Sequence, residues 1–152
     1  MYLLDTNVLS ELRKASSKKA NHNVIQWAKS ISISEMYISS ITILEIEMGI
    51  LKILRKDPLQ ASIYRVWLNE HVLTTFAHRI ISFDTDIALK CAQLQVPDPK
   101  SERDAMIAAT SLVSKLTLVT RNEKDFKHID VNLINPWLDP PHHLRKSLRQ
   151  SN

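Results

Sequence analysis

Short apolar runs alternate along this chain with longer stretches of helical spacing. Tyr2–Leu4 is a strand-like run, and Asn7 behind it can cap a helix that carries Val8, Leu9 and Leu12 on one side. A second helix holds Val24, Ile25, Trp27, Ala28 and Ile31. Met36–Ser39 reads as the next strand and leads into a helix from Ile41 to Leu54, apolar around much of its girth and so expected inside the fold. Asp57 and Pro58 supply a cap and a first-turn proline for a helix running through Ile63, Tyr64, Trp67 and Leu68 to about Thr74. Arg79–Phe83 is strand-like, and Asp84 caps a helix over residues 85–95. Val96-Pro97-Asp98-Pro99-Lys100 must be a loop, because each proline steers the residue before it away from helix. Ser101 opens a further helix, Thr117–Thr120 is a β-branched strand, residues 123–127 form a short helix and Val131–Ile134 is the last strand. Strands alternating with helices give βαβ units, hence an α/β fold with a mostly parallel sheet of about five strands flanked by helices on both faces. Asn135-Pro136 ends the last strand, and residues 139–152, Asp-Pro-Pro followed by a basic stretch, read as a flexible tail behind a single domain. In such sheets ligands bind outside the carboxyl ends of the strands.

Composition narrows the chemistry available at that edge. Among 152 residues there is a single glycine, Gly49. Glycine-rich phosphate loops, dinucleotide turns and nucleophile elbows need several glycines at fixed spacing and are excluded. Close packing against a neighbouring helix or a partner would account for a glycine inside a helix. The lone Cys91 rules out an internal disulfide and reads as a small buried hydrophobe. No apolar run approaches a membrane span and Met1 leads straight into Tyr2, so a cytoplasmic protein with no membrane partner is expected. The net charge of +4 modestly favours an anionic partner. Six histidines show no paired metal-ligand spacing, and no Ser-His-Asp or Cys-His hydrolase pattern is present.

Carboxylates remain. Glu45, Asp104 and Asp125 each lie three residues after a capping type (Thr42, Ser101 and Asn122), the spacing of a capping box. Asp5 has no such structural reading, because it ends the first strand ahead of the apparent cap Asn7. In one parallel sheet Asp5, Glu45 and Asp125 emerge on the carboxyl edge, and Asp104 can join them from its helix. Four clustered carboxylates repel unless cations compensate, and an all-oxygen donor set suits Mg²⁺ or Mn²⁺. Such a metal can activate water and stabilise the leaving oxygen of a phosphodiester. Arg103 and Arg121 flank two of the acids and are candidate phosphate donors. Glu47, about 200° around the helix from Glu45, reads as a solvent or partner contact, and Asp84 and Asp86 as cap and surface.

Four blocks carry a resemblance: Tyr2-Leu3-Leu4-Asp5-Thr6-Asn7-Val8-Leu9-Ser10, Ser39 to Gly49 around Glu45, Arg103-Asp104-Ala105-Met106-Ile107-Ala108-Ala109, and Thr120-Arg121-Asn122-Glu123-Lys124-Asp125-Phe126 followed by Ile134-Asn135-Pro136-Trp137. In order and spacing they resemble the signature blocks of PIN-domain ribonucleases, above all the VapC and FitB type toxins of bacterial type II toxin–antitoxin pairs. The resemblance implies Asp5, Glu45, Asp104 and Asp125 as a catalytic quartet around Mg²⁺ or Mn²⁺. Asp5 and Asp104 are implied as direct metal ligands, with Glu45 as ligand or base and Asp125 serving a second ion or acting through water. Thr6, Asn7, Thr120 and Asn122 would orient them. It further implies a metal-dependent endoribonuclease acting on RNA, a homodimer, and a cognate antitoxin protein as partner. Two other readings stay open at this point: a phosphatase or phosphotransferase with Asp5 as nucleophile, weakened by the absence of Asp-x-Asp, and a binding module that has lost catalysis.

Overall fold

The computed structural model describes residues 1–144 of the chain. Six strands form one sheet in the order β3-β2-β1-β4-β5-β6, with β1 Tyr2–Leu4, β2 Met36–Ser39, β3 Ile80–Ile81, β4 Thr117–Val119, β5 Leu133–Asn135 and β6 His142–Leu144. The first five are parallel, and β6 runs antiparallel to β5. The connecting helices are α1 Thr6–Arg13, α2 His22–Ser30, α3 Ser40–Leu54, α4 Pro58–Val66, α5 Leu73–Thr75, α6 Thr85–Gln95 and α7 Glu102–Ser114. A π-helical segment, Trp67–Val72, joins α4 to α5, so the chain stays helical from Pro58 to Thr75.

Central strands buried on both faces read as continuous apolar runs, and Leu3, Leu4, Ile38, Leu118 and Val119 are fully buried. One core joins Leu4, Ile38 and Val119 to α1, α2, α3 and the α4–α5 region; on the other face Leu3, Leu118 and Leu133 pack with Ile107 and Ala108 of α7 and with Phe126. Cys91 is buried with Ile87, Ala105 and Ala109 where α6 meets α7, and burial raises its thiol pKa.

Several local expectations change. Residues 139–144, assigned from the sequence to the tail, carry β6, whose register pairs Leu133 with Leu144 and Asn135 with His142. That strand brings the sheet to six. The rest of the basic tail lies outside the described residues. Helix α3 is not wholly interior: Ile41, Thr42, Ile46 and Ile50 are buried, while Leu44, Leu51 and Leu54 are about half exposed. Asp57 and Asp84 cap as expected, accepting from the backbone N–H groups of Gln60 and Ile87. The strand-like stretch Arg79–Phe83 pairs only at Ile80 and Ile81.

Candidate active site

The carboxyl edge of the sheet is built where β1, β2 and β4 end side by side. The N–H of Asp5 still donates to the Val119 carbonyl at 2.9 Å, so Asp5 closes the β1–β4 ladder. Its side chain then accepts from Thr6 N–H at 2.8 Å, making Asp5, not Asn7, the cap of α1. The expected cap moved because the ladder holds the backbone extended through residue 5, and the helix starts one residue later.

Asp5 is nearly buried, and both its oxygens are engaged. Oδ2 accepts from the Thr120 hydroxyl at 2.8 Å and from the Asn7 side-chain amide at 3.3 Å. Asn7 Nδ2 also donates to Thr120 Oγ1 at 3.2 Å, while its Oδ1 accepts from the Arg121 N–H at 3.3 Å. The Asn122 N–H completes the set by donating to Thr120 Oγ1 at 3.1 Å. Thr6 hydroxyl donates to Glu45 Oε1 at 2.9 Å, with the buried Thr42 hydroxyl 3.4 Å away. Thr6 therefore bonds Glu45, Asn7 and Thr120 bond Asp5, and Asn122 reaches the cluster only through its backbone N–H on Thr120.

None of the three capping boxes forms. Ser39 caps α3, its hydroxyl accepting from Ile41 N–H, so Thr42 and Glu45 lie inside the helix. Ser101 and Asn122 make no side-chain cap bonds. Released from capping, Glu45 turns to Thr6, and the Nε of Arg103 stands 3.7 Å from Glu45 Oε2. Thr42 is the site residue whose place the sequence spacing concealed; its signal was a hydroxyl on the buried face of an apolar helix.

The acids sense one another. Burial raises the pKa of Asp5 above 3.8, against the pull of the Thr120 and Thr6 hydrogen bonds, and the charges of Glu45 and Asp125 raise it further. Burial also raises Asp104, joined by Asp125 and Asp5 and opposed by Ser101 and Arg103. The four carboxylates thus share one neighbourhood whose negative charge Arg103 offsets only in part, the condition a divalent cation corrects. Among the described residues no three acidic, histidine or cysteine side chains close into a metal cage. An open cluster of carboxylates and hydroxyls suits a hard cation that keeps several waters and takes one or two carboxylates from the protein. The donor set therefore fits Mg²⁺ or Mn²⁺. A cavity of about 550 Å³ lies apart from these acids, under β6 and lined by Phe126, Ile129, Leu133 and Leu144.

Two charged side chains find neighbours within the chain. Glu47, read from the sequence as a solvent or partner contact, forms a two-bond ion pair with Arg65 of α4, one bond at 2.8 Å, and stays partly exposed. Arg121 is exposed, and its guanidinium carbon lies 5.5 Å from the centre of the Trp137 ring.

Comparison with known proteins gives concordant matches. Residues 2–132 match the PIN domain family. The chain is 33% identical over 144 residues to Toxin FitB of Neisseria gonorrhoeae, covering 91% of this chain and all of that protein. It is 32% identical over 142 residues to the VapC ribonuclease Y4jK of Sinorhizobium fredii, covering 90% and 98%. Among solved structures, FitAcB from Neisseria gonorrhoeae superposes with a TM-score of 0.80 at 32% identity, over 90% of this chain and 99% of that one. A toxin–antitoxin complex from Klebsiella pneumoniae gives 0.65 at 29% identity, over 90% and 98%.

Proposed function

The chain belongs to the PIN-domain family, and from that premise we propose that it is a Mg²⁺- or Mn²⁺-dependent endoribonuclease, the toxin of a toxin–antitoxin pair. The observation that carries this reading is the convergence of Asp5, Glu45, Asp104 and Asp125, two of them with raised pKa through burial and mutual repulsion. Relatives bearing the names toxin and ribonuclease support the choice of RNA over other phosphodiesters.

Asp5 and Asp104 would hold the metal, with Glu45 and Asp125 completing or extending its environment. When bound, the cation would neutralise the phosphodiester and acidify a water molecule for in-line attack. Thr120 and Asn7 hold the Asp5 carboxylate in one orientation, leaving the ion little freedom to wander. Thr6 fixes Glu45, which would take the proton of the attacking water as the P–O bond to the leaving ribose oxygen breaks and that oxygen gains a proton from solvent. Arg103, beside Glu45, supplies positive charge to the phosphate side. RNA offers a poorly readable deep groove when paired, so an unpaired loop or end is the expected target. A homodimer and a small antitoxin belong to the same proposal, as does a cytoplasmic site of action; no described helix is long and apolar enough to cross a membrane. The run Asp5-Thr6-Asn7, which lacks the second aspartate of an Asp-x-Asp motif, disfavours the reading of Asp5 as a phosphatase nucleophile.

The test uses purified chain freed of partner, structured RNA and a phosphomonoester, with Mg²⁺, Mn²⁺ or EDTA. RNA cleavage that needs metal and vanishes in Asp5→Asn and Asp104→Asn is expected. Cleavage surviving EDTA or both substitutions overturns the mechanism, and phosphomonoester turnover with intact RNA would favour the nucleophile reading.

A further inference from the structure

The sheet register places Arg121 against Trp137 at the rim of the acidic site. Val119 of β4 pairs with Ile134 of β5, and Thr120 N–H donates to the Ile134 carbonyl at 3.0 Å. One residue beyond the end of β4, the two segments therefore still run side by side. Trp137 is fixed there from both ends of its peptide: its N–H donates to Asn135 Oδ1 at 3.0 Å, and its carbonyl accepts from Asn23 Nδ2 at 2.8 Å. Its half-buried ring packs against the main core. Arg121 is exposed, and its guanidinium lies over that ring.

The arrangement is more than a way to neutralise a nearby acid. Glu11 feels the charge of Arg121, yet its carboxylate oxygens already accept from Lys14 at 3.0 Å and from Asn21 N–H at 2.6 Å. Arg121 is covalently next to Thr120, and its own N–H holds Asn7. An aromatic ring backing an exposed guanidinium makes a flat, cationic, π-rich surface, the chemistry on which unpaired bases stack.

We propose that Arg121, held by Trp137, is a stacking platform for an unpaired nucleobase of single-stranded RNA, positioning the adjoining phosphate at the acidic site. The identity of the substrate as RNA rests on the function proposed above; the stacking role rests on this geometry. Arg121 here acts through its plane as well as its charge. Lysine keeps the charge and lacks the plane, so it separates stacking from simple phosphate attraction.

The experiment is equilibrium binding in EDTA, read by fluorescence anisotropy. The probes are a labelled short single-stranded RNA and the same oligomer made abasic along its length. Wild type is expected to prefer the base-bearing oligomer by about tenfold, within the range for one stacked base. Arg121→Lys and Trp137→Leu should lose that preference while still binding the abasic strand as wild type does, and Trp137→Phe should retain most of it. Arg121→Lys touches no core residue, so its result stands even where Trp137→Leu fails to fold. Equal affinity of wild type for the two oligomers, an unchanged preference in Arg121→Lys, or no measurable RNA binding at low salt would each overturn the platform. Because the assay needs no turnover, base-dependent binding without metal-dependent cleavage sinks the catalytic reading and leaves the platform standing. Cleavage with a silent Arg121→Lys does the reverse.

Discussion

Thr120 shows how much of the site hangs on one hydroxyl. It donates to Asp5 and accepts from Asn7 and Asn122, using its single proton and both lone pairs. Thr120→Val keeps shape and burial but leaves a nearly buried carboxylate with one donor fewer and Asn7 and Asn122 short of an acceptor. Stability should fall by about 1–3 kcal/mol. kcat should fall by about 10–100-fold, the usual effect of losing a group that orients a metal ligand, with KM for RNA nearly unchanged. Thr120→Ser should restore both; a KM-only defect would mean that Thr120 acts on substrate instead. The raised pKa values of Asp5 and Asp104 make a second prediction. A carboxyl group whose folded pKa exceeds its unfolded value binds more protons in the native state, so stability is full below pH 3.8 and is lost as pH rises through the folded pKa. In EDTA, Asp104→Asn should therefore raise the melting temperature near neutral pH by a few degrees, on the order of the shift for a fraction of a kcal/mol to one kcal/mol. Wild type should gain melting temperature when Mg²⁺ is added, and the same substitution should abolish that gain. A metal-free variant no more stable than wild type would mean that the acids do not repel in the native state. Asp5 was legible as a strand-end carboxylate, whereas Glu45, Asp104 and Asp125 had the spacing of capping boxes and stood out only through the order of their sequence blocks. Which of residues 5–7 capped α1 was not legible, since Asp and Asn are equally good caps and the choice depends on where the β1–β4 ladder stops.

At the scale of elements, α3 is where the sequence and the structure part most. The spacing from Thr42 to Glu45 fits a capping box, but Ser39 has the same capping chemistry and lies at the end of β2, so the helix begins earlier and the box falls inside it. Apolar spacing alone could not show that Leu44, Leu51 and Leu54 face outward, because burial is decided by what α4 and α7 cover. Glu47 found its partner on α4 for the same reason: Arg65 is 18 residues away and becomes a neighbour only once the two helices pack. Of the two reasons offered for Gly49, a neighbouring helix of the chain and a partner, the first falls away. Close packing within the chain does not require it, since a Cβ built there meets nothing within 4 Å. Gly49→Ala should then stabilise the isolated chain by about 0.5–1 kcal/mol through helix propensity alone. Chemical denaturation at protein concentrations low enough to hold the chain monomeric checks this; a loss of stability would reveal a constraint on α3 that its intramolecular contacts do not contain. Scarcity of glycine has a cost elsewhere. Lys18 and Lys115 adopt left-handed backbone at φ 59° and 56°, and Lys115 closes the end of α7 with bonds to Leu112 and Ser111 carbonyls, a place where glycine is usual.

Across the whole molecule, two regions carry the features that the proposals above draw on. The carboxyl edge of the sheet gathers the acids, the orienting hydroxyls and the Arg121–Trp137 stack. The pair α3 and α4 carries six of the twelve exposed large apolar side chains among the described residues: Leu44, Leu51, Leu54, Leu59, Ile63 and Val66. A concentration of this kind on one helical pair is the mark of an interaction surface. A second copy of the chain is the occupant proposed, since an isologous contact uses the same patch twice and needs no complementary surface elsewhere. Gly49 lies on the same helix, where a missing side chain leaves room for an approaching helix from outside. Leu51→Glu combined with Ile63→Glu places like charges across such a contact, while both side chains are already solvated in the isolated chain, so the fold should tolerate them. Sedimentation of the purified chain alone should show a dimer for wild type and a monomer for the double variant, each with an unaltered circular dichroism spectrum. Wild type sedimenting as a monomer would reassign this face to the antitoxin, and a variant that remains dimeric would move the contact elsewhere. Because the acids lie at the sheet edge and neither substituted residue touches them, the monomeric variant should keep its Mg²⁺-induced rise in melting temperature. Losing that rise together with the dimer would mean that the second protomer helps to build the metal site.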